Sequence, residues 1–287
     1  MLHSRSLLGT CAGWHSRQLK LLHAEPPLWP EPVQQVIPFE LTEDPYSIRG
    51  LPRAEIAIDE HIVTAIIDTG NGMTGVTSNN ANLLEYLSGA ELLDTWPIMT
   101  SRGRRRYEIL RGPSIRLGRT TFHDVLMDRP VGPAHLEAGY ILGMNILLRY
   151  PKVCFDWQES RLFLGDLGSC AGGLSPDHAY LVDNFVLYLE VPLPDGSVMP
   201  ALLDTGSTVT YCSKAFVEAN NGRQHFVFRS HPELAGECEV SDDVYFTSVV
   251  IRRSQIQVGM DTFRQFAAFG WELNPLKVYF VPKETND

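Results

Sequence analysis

The segment IIDTGNGMTG, residues 66–75, ends an alternating apolar stretch and contains two overlapping motifs. Gly70, Gly72 and Gly75 spell G-x-G-x-x-G, the pattern of a loop that binds the phosphates of a dinucleotide. The same letters contain Asp68-Thr69-Gly70, in which a carboxylate could act as an acid or a base. The choice between these two chemistries decides both the fold and the function.

A second D-T-G appears later in the chain and favours the carboxylate interpretation. The segment LLDTGSTVTYC (202–212) keeps the Asp, the Thr and the first Gly, and lacks the two later glycines. A dinucleotide loop also needs a helix that begins at the glycines, so that its amides meet the pyrophosphate. After Gly75 the sequence continues Val-Thr, which favours a strand instead.

The two D-T-G motifs end similar segments, which indicates a two-fold internal repeat. AEIAIDEHIVTAIID (54–68) predicts two strands joined by a turn at Asp59-Glu60, and FVLYLEVPLPDGSVMPALLD (185–204) predicts two strands joined at Asp195-Gly196. Asp204 follows Asp68 by 136 residues (204 − 68). Two Asp residues on equivalent loops of related halves can meet at a pseudo-two-fold axis.

Two further landmarks recur in the same order. IRLGRTTF (115–122) matches IQVGMDTF (256–263), and CFDWQESRLFL (154–164), which predicts a hairpin, resembles AFGWELNPLKVYF (268–280). On this alignment the second copy lacks most of ILGMNILLRY (141–150), a predicted turn and short apolar helix. The sequence therefore predicts a shortened second half.

The composition is that of a globular protein and disfavours nucleic acid as a partner. The chain has 287 residues, of which 44% are hydrophobic and 20% charged, with a formal net charge of −10. An acidic chain is repelled by a phosphate backbone. The arginines at positions 102 and 104–106 fit a solvated hairpin tip better than a nucleic-acid patch.

The cysteines do not predict a metal site. The five cysteines are widely spaced and show no C-x-x-C or Cys/His ligand pattern, so we expect no structural zinc; a single disulfide remains an open alternative. His225 and His231 lack a third ligand at suitable spacing. We expect no metal and no cofactor.

The longest apolar stretch, AGYILGMNILL (138–148), is too short to span a bilayer, which takes about 20 residues. The N-terminus lacks a convincing signal peptide, so the sequence favours a soluble, cytoplasmic protein, and a disordered tail, a targeting leader and a pro-segment remain alternatives for the N-terminal part. The predicted organisation is an N-terminal arm (1–45), a first lobe (46–167), a linker (168–178) and a second lobe (179–287).

Paired carboxylates explain why D-T-G is duplicated. Carboxylates about 3 Å apart cannot both ionise readily, so they share one proton. One of them is then a base while the other is an acid, and the pair can activate a water held between them.

At these residues the chain resembles the aspartic proteases of the pepsin and retropepsin type. The resemblance lies in IIDTGNG (66–72), LLDTGST (202–208) and YILGMNILLRYPKVCFDW (140–157), and it covers roughly residues 50–282. It implies an all-β, bilobal pepsin-like or retropepsin-like fold with few short helices, and an aspartic endopeptidase that uses no metal or covalent intermediate. Because one chain supplies both motifs, dimerisation is not required for the active site.

The resemblance assigns roles to the residues of the two motifs. Asp68 and Asp204 would be the catalytic dyad, and Thr69 and Thr205 would cross-brace the two loops.

The neighbouring residues would support these loops. Gly70 and Gly206 would allow close approach and donate amides to the carboxylates, and Ser207 would bond the outer oxygen of Asp204. Leu142 and Gly143 would pack behind the first loop.

The family also covers its cleft with a flap hairpin. IMTSRGRRRYEIL (98–110) lies at the right place in the first repeat, with an ordinary exposed hairpin as the alternative. The flap candidates are Ser101, Arg102, Gly103 and Tyr107.

Two features depart from the family pattern and leave a second hypothesis open. Asn71 stands where pepsins have Ser or Thr, and it would orient the carboxylate through an amide of different geometry. In the second half, Ala268-Phe269-Gly270 is the nearest equivalent of the apolar-apolar-Gly element, without a clear helix after it. The alternative function is a catalytically weak or inactive pepsin-like fold that binds peptides or proteins.

Overall fold

The computed structural model describes most of the chain from residue 32 onward. The described residues are 32–42, 50–76, 87, 89–100, 103–131, 139–175, 179–181, 186–228, 231–241 and 255–284. The elements below are those within these ranges.

The protein is mostly β-sheet, as the alternating apolar segments predict, with a few short helices. In the first half of the chain the strands are β1 (Gln35–Pro38), β2 (Glu40–Leu41), β3 (Pro52–Ile58), β4 (His61–Ile67), β5 (Thr74–Val76), β6 (Glu91–Thr100), β7 (Gly103–Gly112), β8 (Ile115–Leu117), β9 (Thr120–Phe122), β10 (Val125–Pro130), β11 (Tyr140–Leu142), β12 (Lys152–Asp156) and β13 (Arg161–Leu164). In the second half they are β14 (Ala179–Leu181), β15 (Leu187–Pro192), β16 (Val198–Leu203), β17 (Tyr211–Cys212), β18 (His225–Phe228), β19 (His231–Glu237), β20 (Glu239–Val240), β21 (Ile256–Val258), β22 (Phe266–Leu273) and β23 (Leu276–Pro282). The helices are α1 (Met144–Leu147), α2 (Lys214–Ala219) and α3 (Met260–Phe263), and a 3-10 turn spans Gly168–Cys170.

Three large sheets organise these strands. The first half forms a ten-stranded sheet in the order β6-β7-β10-β5-β11-β4-β3-β8-β9, with β2 paired to β3. The second half forms a six-stranded sheet in the order β14-β15-β16-β21-β17-β20. A five-stranded sheet, β1-β13-β12-β22-β23, takes strands from both halves. None of the helices within the described ranges has the length and apolar character that a bilayer crossing requires.

The hairpins expected on either side of the repeat are confirmed. β3 and β4 pair around Asp59, and β15 and β16 pair around the turn at Asp195. β12 and β13 form the predicted hairpin over 152–164. Buried side chains alternate with less buried ones over part of β3 and part of β15, which is the pattern that identified these strands.

The two halves repeat an unusual strand arrangement. β11 lies parallel to β4, with Leu142 opposite Ile67, and antiparallel to β5. β21 lies parallel to β16, with Val258 opposite Leu203, and antiparallel to β17. Each arrangement places a strand end, and the loop that carries an Asp, beside the following apolar-Gly turn.

This arrangement corrects the predicted alignment of the repeat. The second apolar-Gly element is Val258-Gly259, followed by α3, and not Ala268-Phe269-Gly270, which lies inside β22. Both turns need glycine, because a Cβ on Gly143 would lie 2.3 Å from Met73 O and one on Gly259 would lie 2.4 Å from Val209 O. Letter matching alone had paired IQVGMDTF with IRLGRTTF, which forms the unrelated β8-β9 hairpin.

The second half is shorter, but not where the sequence alignment placed the gap. From Asp68 to Gly143 there are 75 residues (143 − 68), and from Asp204 to Gly259 there are 55 (259 − 204). The expected loss of the short helix is therefore wrong, since α3 takes the place of α1. The difference falls between the Asp loop and the apolar-Gly turn.

Part of the predicted N-terminal arm (1–45) pairs with the sheets. Residues 35–38 form β1 and pair with β13, and residues 40–41 pair with β3. The buried Gln35 fixes the arm, since its amide donates to Leu117 O at 3.0 Å and to the Tyr150 hydroxyl at 2.9 Å. The prolines in the segment hid this strand, because they indicate extended chain without indicating a partner.

Aromatic side chains from both halves fill the core beneath the five-stranded sheet. The rings of Phe155 and Trp157 stack at 5.1 Å, and the ring of Phe155 stacks on that of Phe269 at 6.0 Å. The ring centroid of Phe263 lies 4.6 Å from that of Phe269. These contacts join the end of each half to the other through a single core.

One disulfide links Cys154 on β12 to Cys170. The sequence leaves one bridge open without identifying its partners. Cys212 and Cys238 are free and buried.

Removing this disulfide with a Cys154→Ala/Cys170→Ala double variant should lower the free energy of unfolding by about 3 kcal/mol, because the bridge closes a loop with a sequence separation of 16. Urea denaturation monitored by tryptophan fluorescence measures the change. Dithiothreitol should destabilise the wild type to the same extent and leave the double variant unchanged. A wild type insensitive to the reductant would contradict the bridge.

Candidate active site

The two D-T-G loops meet at the ends of β4 and β16. The backbone N–H of Asp68 donates to Leu142 O at 3.1 Å, and the N–H of Asp204 donates to Val258 O at 3.0 Å. Each Asp is therefore held by the apolar-Gly element of its own half. Leu142, predicted to pack behind the first loop, is fully buried there.

The glycines of the two motifs let the carboxyl groups cross. A Cβ on Gly70 would lie 2.3 Å from Cγ of Asp204, and a Cβ on Gly206 would lie 2.3 Å from Cγ of Asp68. Each carboxyl group thus occupies the space that a side chain on the opposite loop would need. This contact explains why both motifs carry glycine at the third position.

The threonines join the loops by four hydrogen bonds. The Thr69 hydroxyl donates to Leu203 O at 2.8 Å and accepts from the N–H of Thr205 at 3.0 Å. The Thr205 hydroxyl donates to Ile67 O at 2.7 Å and accepts from the N–H of Thr69 at 3.1 Å. Both threonines are fully buried, so water does not compete for these bonds.

Backbone amides bind Oδ1 of each carboxyl group, which we call the inner oxygen; Oδ2 is the outer oxygen. Oδ1 of Asp68 accepts from the N–H of Gly70 at 2.8 Å and from that of Asn71 at 3.1 Å. Oδ1 of Asp204 accepts from the N–H of Gly206 at 2.8 Å. The backbone N–H of Ser207 also acts on the Asp204 carboxyl group, so each of the two groups is stabilised by two backbone amides.

The side chains after the two motifs do not bond the carboxyl groups as the resemblance implied. The Ser207 hydroxyl donates to Val209 O at 2.7 Å, not to Asp204, because the backbone turns sharply after the motif and presents that carbonyl. Asn71 acts on Asp68 through its backbone N–H, while its side-chain oxygen accepts from the N–H of Met73 at 3.4 Å. Both side chains therefore stabilise their own turns.

Gln257 binds the outer oxygen of Asp204 and was missed by the sequence argument. Its Nε2 donates to Oδ2 of Asp204, and its side chain is 8% exposed. Gln257 lies opposite Leu202 in the parallel pair β16-β21, as Ile141 lies opposite Ile66 in the pair β4-β11. The signal that could have identified it is a lone amide in an apolar strand, visible only once IQVG is aligned with YILG.

The two carboxyl groups each pack on the glycine of the opposite loop, and each changes the pKa of the other. Removal from water, followed by the charge of Asp204, raises the pKa of Asp68 well above its usual range. Removal from water also raises the pKa of Asp204, opposed by hydrogen bonds from Asp68, Gln257 and backbone amides. The pair therefore holds one proton over a wide range of pH.

A second layer of polar side chains fixes the apolar-Gly turns. The Thr74 hydroxyl accepts from the N–H of Gly143 at 3.1 Å and donates to Asn145 at 2.8 Å. In the second half, Thr210 makes the corresponding bonds with the N–H of Gly259 and with Asp261. The sequence predicted a role for Gly143, but not for Thr74 and Asn145, which hold it in place.

Gly75, the last glycine of the opening segment, is explained by a buried carboxyl group. A Cβ at Gly75 would lie 1.8 Å from Oδ1 of Asp128, which is on the neighbouring strand β10. Asp128 is 4% exposed, and burial raises its pKa to about 8. The glycine therefore accommodates Asp128 and does not belong to a phosphate loop. The chain also continues from Gly75 as strand β5, where a dinucleotide site would start a helix.

The flap candidates lie on or beside the β6-β7 hairpin. Ser101 and Arg102 fall outside the described residues, between the end of β6 at Thr100 and the start of β7 at Gly103. Tyr107 lies opposite Trp96 on β6 and opposite Pro130 on β10. Within the described ranges, no group of three or more His, Cys, Asp or Glu side chains is placed to hold a metal ion.

Comparison with known proteins supports the fold alone. No protein-family model and no curated protein matches the chain. Among solved structures, the chain is similar to basic 7S globulin from soybean, with a TM-score of 0.52 and 10% sequence identity, over 88% of this chain and 95% of that chain. At this identity the similarity concerns the path of the backbone and says nothing about activity.

Replacing Thr205 with Val should destabilise the protein by about 2 to 4 kcal/mol, because it leaves Ile67 O and the N–H of Thr69 buried without their partners. Thermal and urea denaturation measure the effect. The matched control is Thr64→Val at an exposed position of β4, which should change stability by less than about 0.5 kcal/mol. Equal effects of the two substitutions would show that the bonds between the loops contribute little.

Replacing Asp128 with Asn should stabilise the protein increasingly as the pH rises from about 4 to 8. The pKa of Asp128 is about 8 when folded against 3.8 as the ordinary value, so the folded state retains a proton that the unfolded state has lost. Wild-type stability is therefore full below about pH 4 and falls toward pH 8, on the order of a few kcal/mol in all, whereas Asn has no proton to lose. Urea denaturation at several pH values tests this.

The matched control for that measurement is Asp124→Asn, which changes an exposed residue just before β10. Its stability should run parallel to that of the wild type across the pH range, because water reaches this side chain in both states. An Asp128→Asn variant that also ran parallel to the wild type would contradict the burial of a protonated Asp128.

Proposed function

We propose that the protein is an aspartic-type endopeptidase with Asp68 and Asp204 as its catalytic dyad. The observation that carries the proposal is that the carboxyl groups of the two repeated D-T-G loops pack against the glycine of the opposite loop, where each changes the pKa of the other. Neither group has a cationic partner at hydrogen-bond distance among the described residues. Two adjacent acids that share a proton are the pattern of acid–base catalysis, because a structural role favours ion pairs.

The proposed reaction uses one water and no covalent intermediate. The ionised carboxylate takes a proton from the water, whose oxygen bonds to the peptide carbonyl carbon. The protonated carboxyl gives its proton to the carbonyl oxygen, so the product is a neutral tetrahedral diol. When the C–N bond breaks, the first carboxyl returns the proton it took to the departing nitrogen, and the second takes one from a diol hydroxyl.

The two motifs together favour a peptide substrate through their resemblance to pepsins and retropepsins. In the proposed bilobal arrangement the ten-stranded and six-stranded sheets form two lobes, and the dyad lies at the bottom of the cleft between them. The hairpin β6-β7 belongs to the ten-stranded sheet and would serve as the flap. The backbone similarity to a 7S globulin over 88% of the chain is compatible with this arrangement.

The second candidate is a peptide-binding module with an impaired dyad. It is favoured by the observation that neither Asn71 nor Ser207 directs its side chain at a carboxyl group. The outer oxygens of the dyad then lack the hydroxyl partners that the family pattern implies. Gln257 supplies a donor on one side only.

Asp68→Asn and Asp204→Asn should each reduce peptide cleavage by at least about 10²-fold, because each removes a group that must exchange a proton. A peptide-library digest followed by mass spectrometry, repeated from pH 3 to 8 with and without pepstatin, identifies a cleaved sequence. A quenched fluorescent peptide of that sequence then gives kcat/KM. Asp195→Asn, in the exposed turn between β15 and β16, is the control and should keep wild-type turnover.

Two results would count against the proposal. Wild-type turnover in either dyad variant would remove that residue from the mechanism. A folded wild type that cleaves no library peptide at any pH, yet retains peptides on an affinity column, would favour the binding module.

A further inference from the structure

The two carboxyl groups of the dyad are equivalent on their inner side and different on their outer side. Both inner oxygens accept the N–H of the glycine two residues later, at the same distance of 2.8 Å. The outer oxygen of Asp204 additionally accepts an amide N–H from Gln257. At the position related to Gln257 by the repeat, the first half has Ile141, whose side chain has no hydrogen to donate.

The Gln257 amide is held by this single contact. Its Oε1 is buried and has no hydrogen-bond partner within the described part of the chain. An unpaired buried acceptor is destabilising, and an apolar residue such as that at 141 would avoid it. The bond to Asp204 is therefore the interaction that offsets the burial of this amide, and it orients the Nε2 toward the carboxylate.

We propose that Gln257 is a positioning residue that keeps the proton of the dyad on Asp68 and the negative charge on Asp204. An N–H donor stabilises a carboxylate more than a carboxylic acid, since the charged oxygen is the stronger acceptor. Each carboxyl group is stabilised by two backbone amides, those of Gly70 and Asn71 for Asp68 and those of Gly206 and Ser207 for Asp204, so the outer donor decides between the two otherwise similar tautomers.

The inference rests on the proposed peptide hydrolysis for its chemical meaning, and it assigns the roles that the proposal left open. Asp204 would take the proton from the water, and Asp68 would protonate the carbonyl oxygen. Without the hydrogen bond from Gln257, either carboxyl group could take either role.

The other ionisable groups near the dyad are bonded elsewhere. Asp261 on α3 accepts from the N–H and the hydroxyl of Thr210, and Asp128 on β10 packs on Gly75. The Cys212 thiol on β17 interacts with the Cys238 thiol. Within the described residues, Asp68 is thus the ionisable side chain that directly contacts Asp204.

The test is a titration of the full chain labelled with ¹³C at the aspartate carboxyl carbons, without any substrate. Asp68→Asn and Asp204→Asn variants assign the two signals. In the wild type, Asp204 should show the chemical shift of a carboxylate over a pH range in which Asp68 remains protonated. In Gln257→Met, which keeps the size of the side chain and removes the donor, the first proton loss from the dyad should move up by about one pH unit. The Ile141→Met variant is the matched control and should leave that proton loss in place.

A swapped variant, Ile141→Gln/Gln257→Met, moves the amide to the other carboxyl group and should reverse the order, with Asp68 ionised first. Unchanged titrations in both Gln257→Met and the swapped variant would overturn the proposal. If Gln257→Met does not fold, the swapped variant, which retains one amide, decides the matter alone by the order of ionisation.

Kinetics give a second measurement if the peptide substrate is found. The acidic limb of kcat/KM against pH should move upward in Gln257→Met, while the basic limb stays, because the donor stabilises both ionised forms of the dyad alike. A merely structural role would lower activity at every pH without moving the limb. Since the carboxyl titration needs no turnover, absence of peptide cleavage would refute the proposed function and leave the assignment of the proton testable.

Discussion

The crossed hydrogen bonds of Thr69 and Thr205 are the constraint on which the rest of the site depends. Each hydroxyl donates to the carbonyl that precedes the opposite Asp and accepts the backbone N–H of the opposite Thr. All of these groups are buried, so separating the loops would leave four bonds unmade in a place that water does not reach. The two D-T-G loops therefore stay together, and this holds the carboxyl group of one half against that of the other.

The surrounding sheets hold this unit by a repeated device. In each half, a threonine that follows the Asp loop binds both the apolar-Gly turn and the short helix after that turn. Thr74 in the first half and Thr210 in the second accept the N–H of the turn glycine, and each also bonds a polar side chain of that helix. The backbone carbonyls of Asn71 and Ser207 accept the N–H groups that open those helices, from Met144 at 2.9 Å and Met260 at 2.8 Å. Asn71 and Ser207 thus serve mainly through their backbones, which explains why two chemically different side chains occupy equivalent positions.

Much of the fold could be predicted from the sequence, because a half-buried strand shows an alternating apolar pattern and a paired Asp leaves a duplicated motif. The hairpins around Asp59 and Asp195 belong to this class. The second apolar-Gly element was missed, because its central position carries Gln257 instead of an apolar residue and its letters match β8-β9 better. The bond from Gln257 to Asp204, the Cys154–Cys170 bridge and the packing of Asp128 on Gly75 join residues that are far apart or that no pattern pairs. Such contacts depend on the relative placement of whole sheets, which local periodicity does not encode.

The five-stranded sheet and the dyad both join segments that are far apart in the order of synthesis. Its central pair joins β12 to β22, and its edge strand β23 lies close to the end of the described chain. The sheet is incomplete until β22 and β23 have left the ribosome, and contacts between such distant segments form late in folding. The first D-T-G loop emerges long before its partner. A nascent chain that has not yet reached residue 204 therefore carries a lone carboxyl group and lacks the partner that the proposed acid–base chemistry requires.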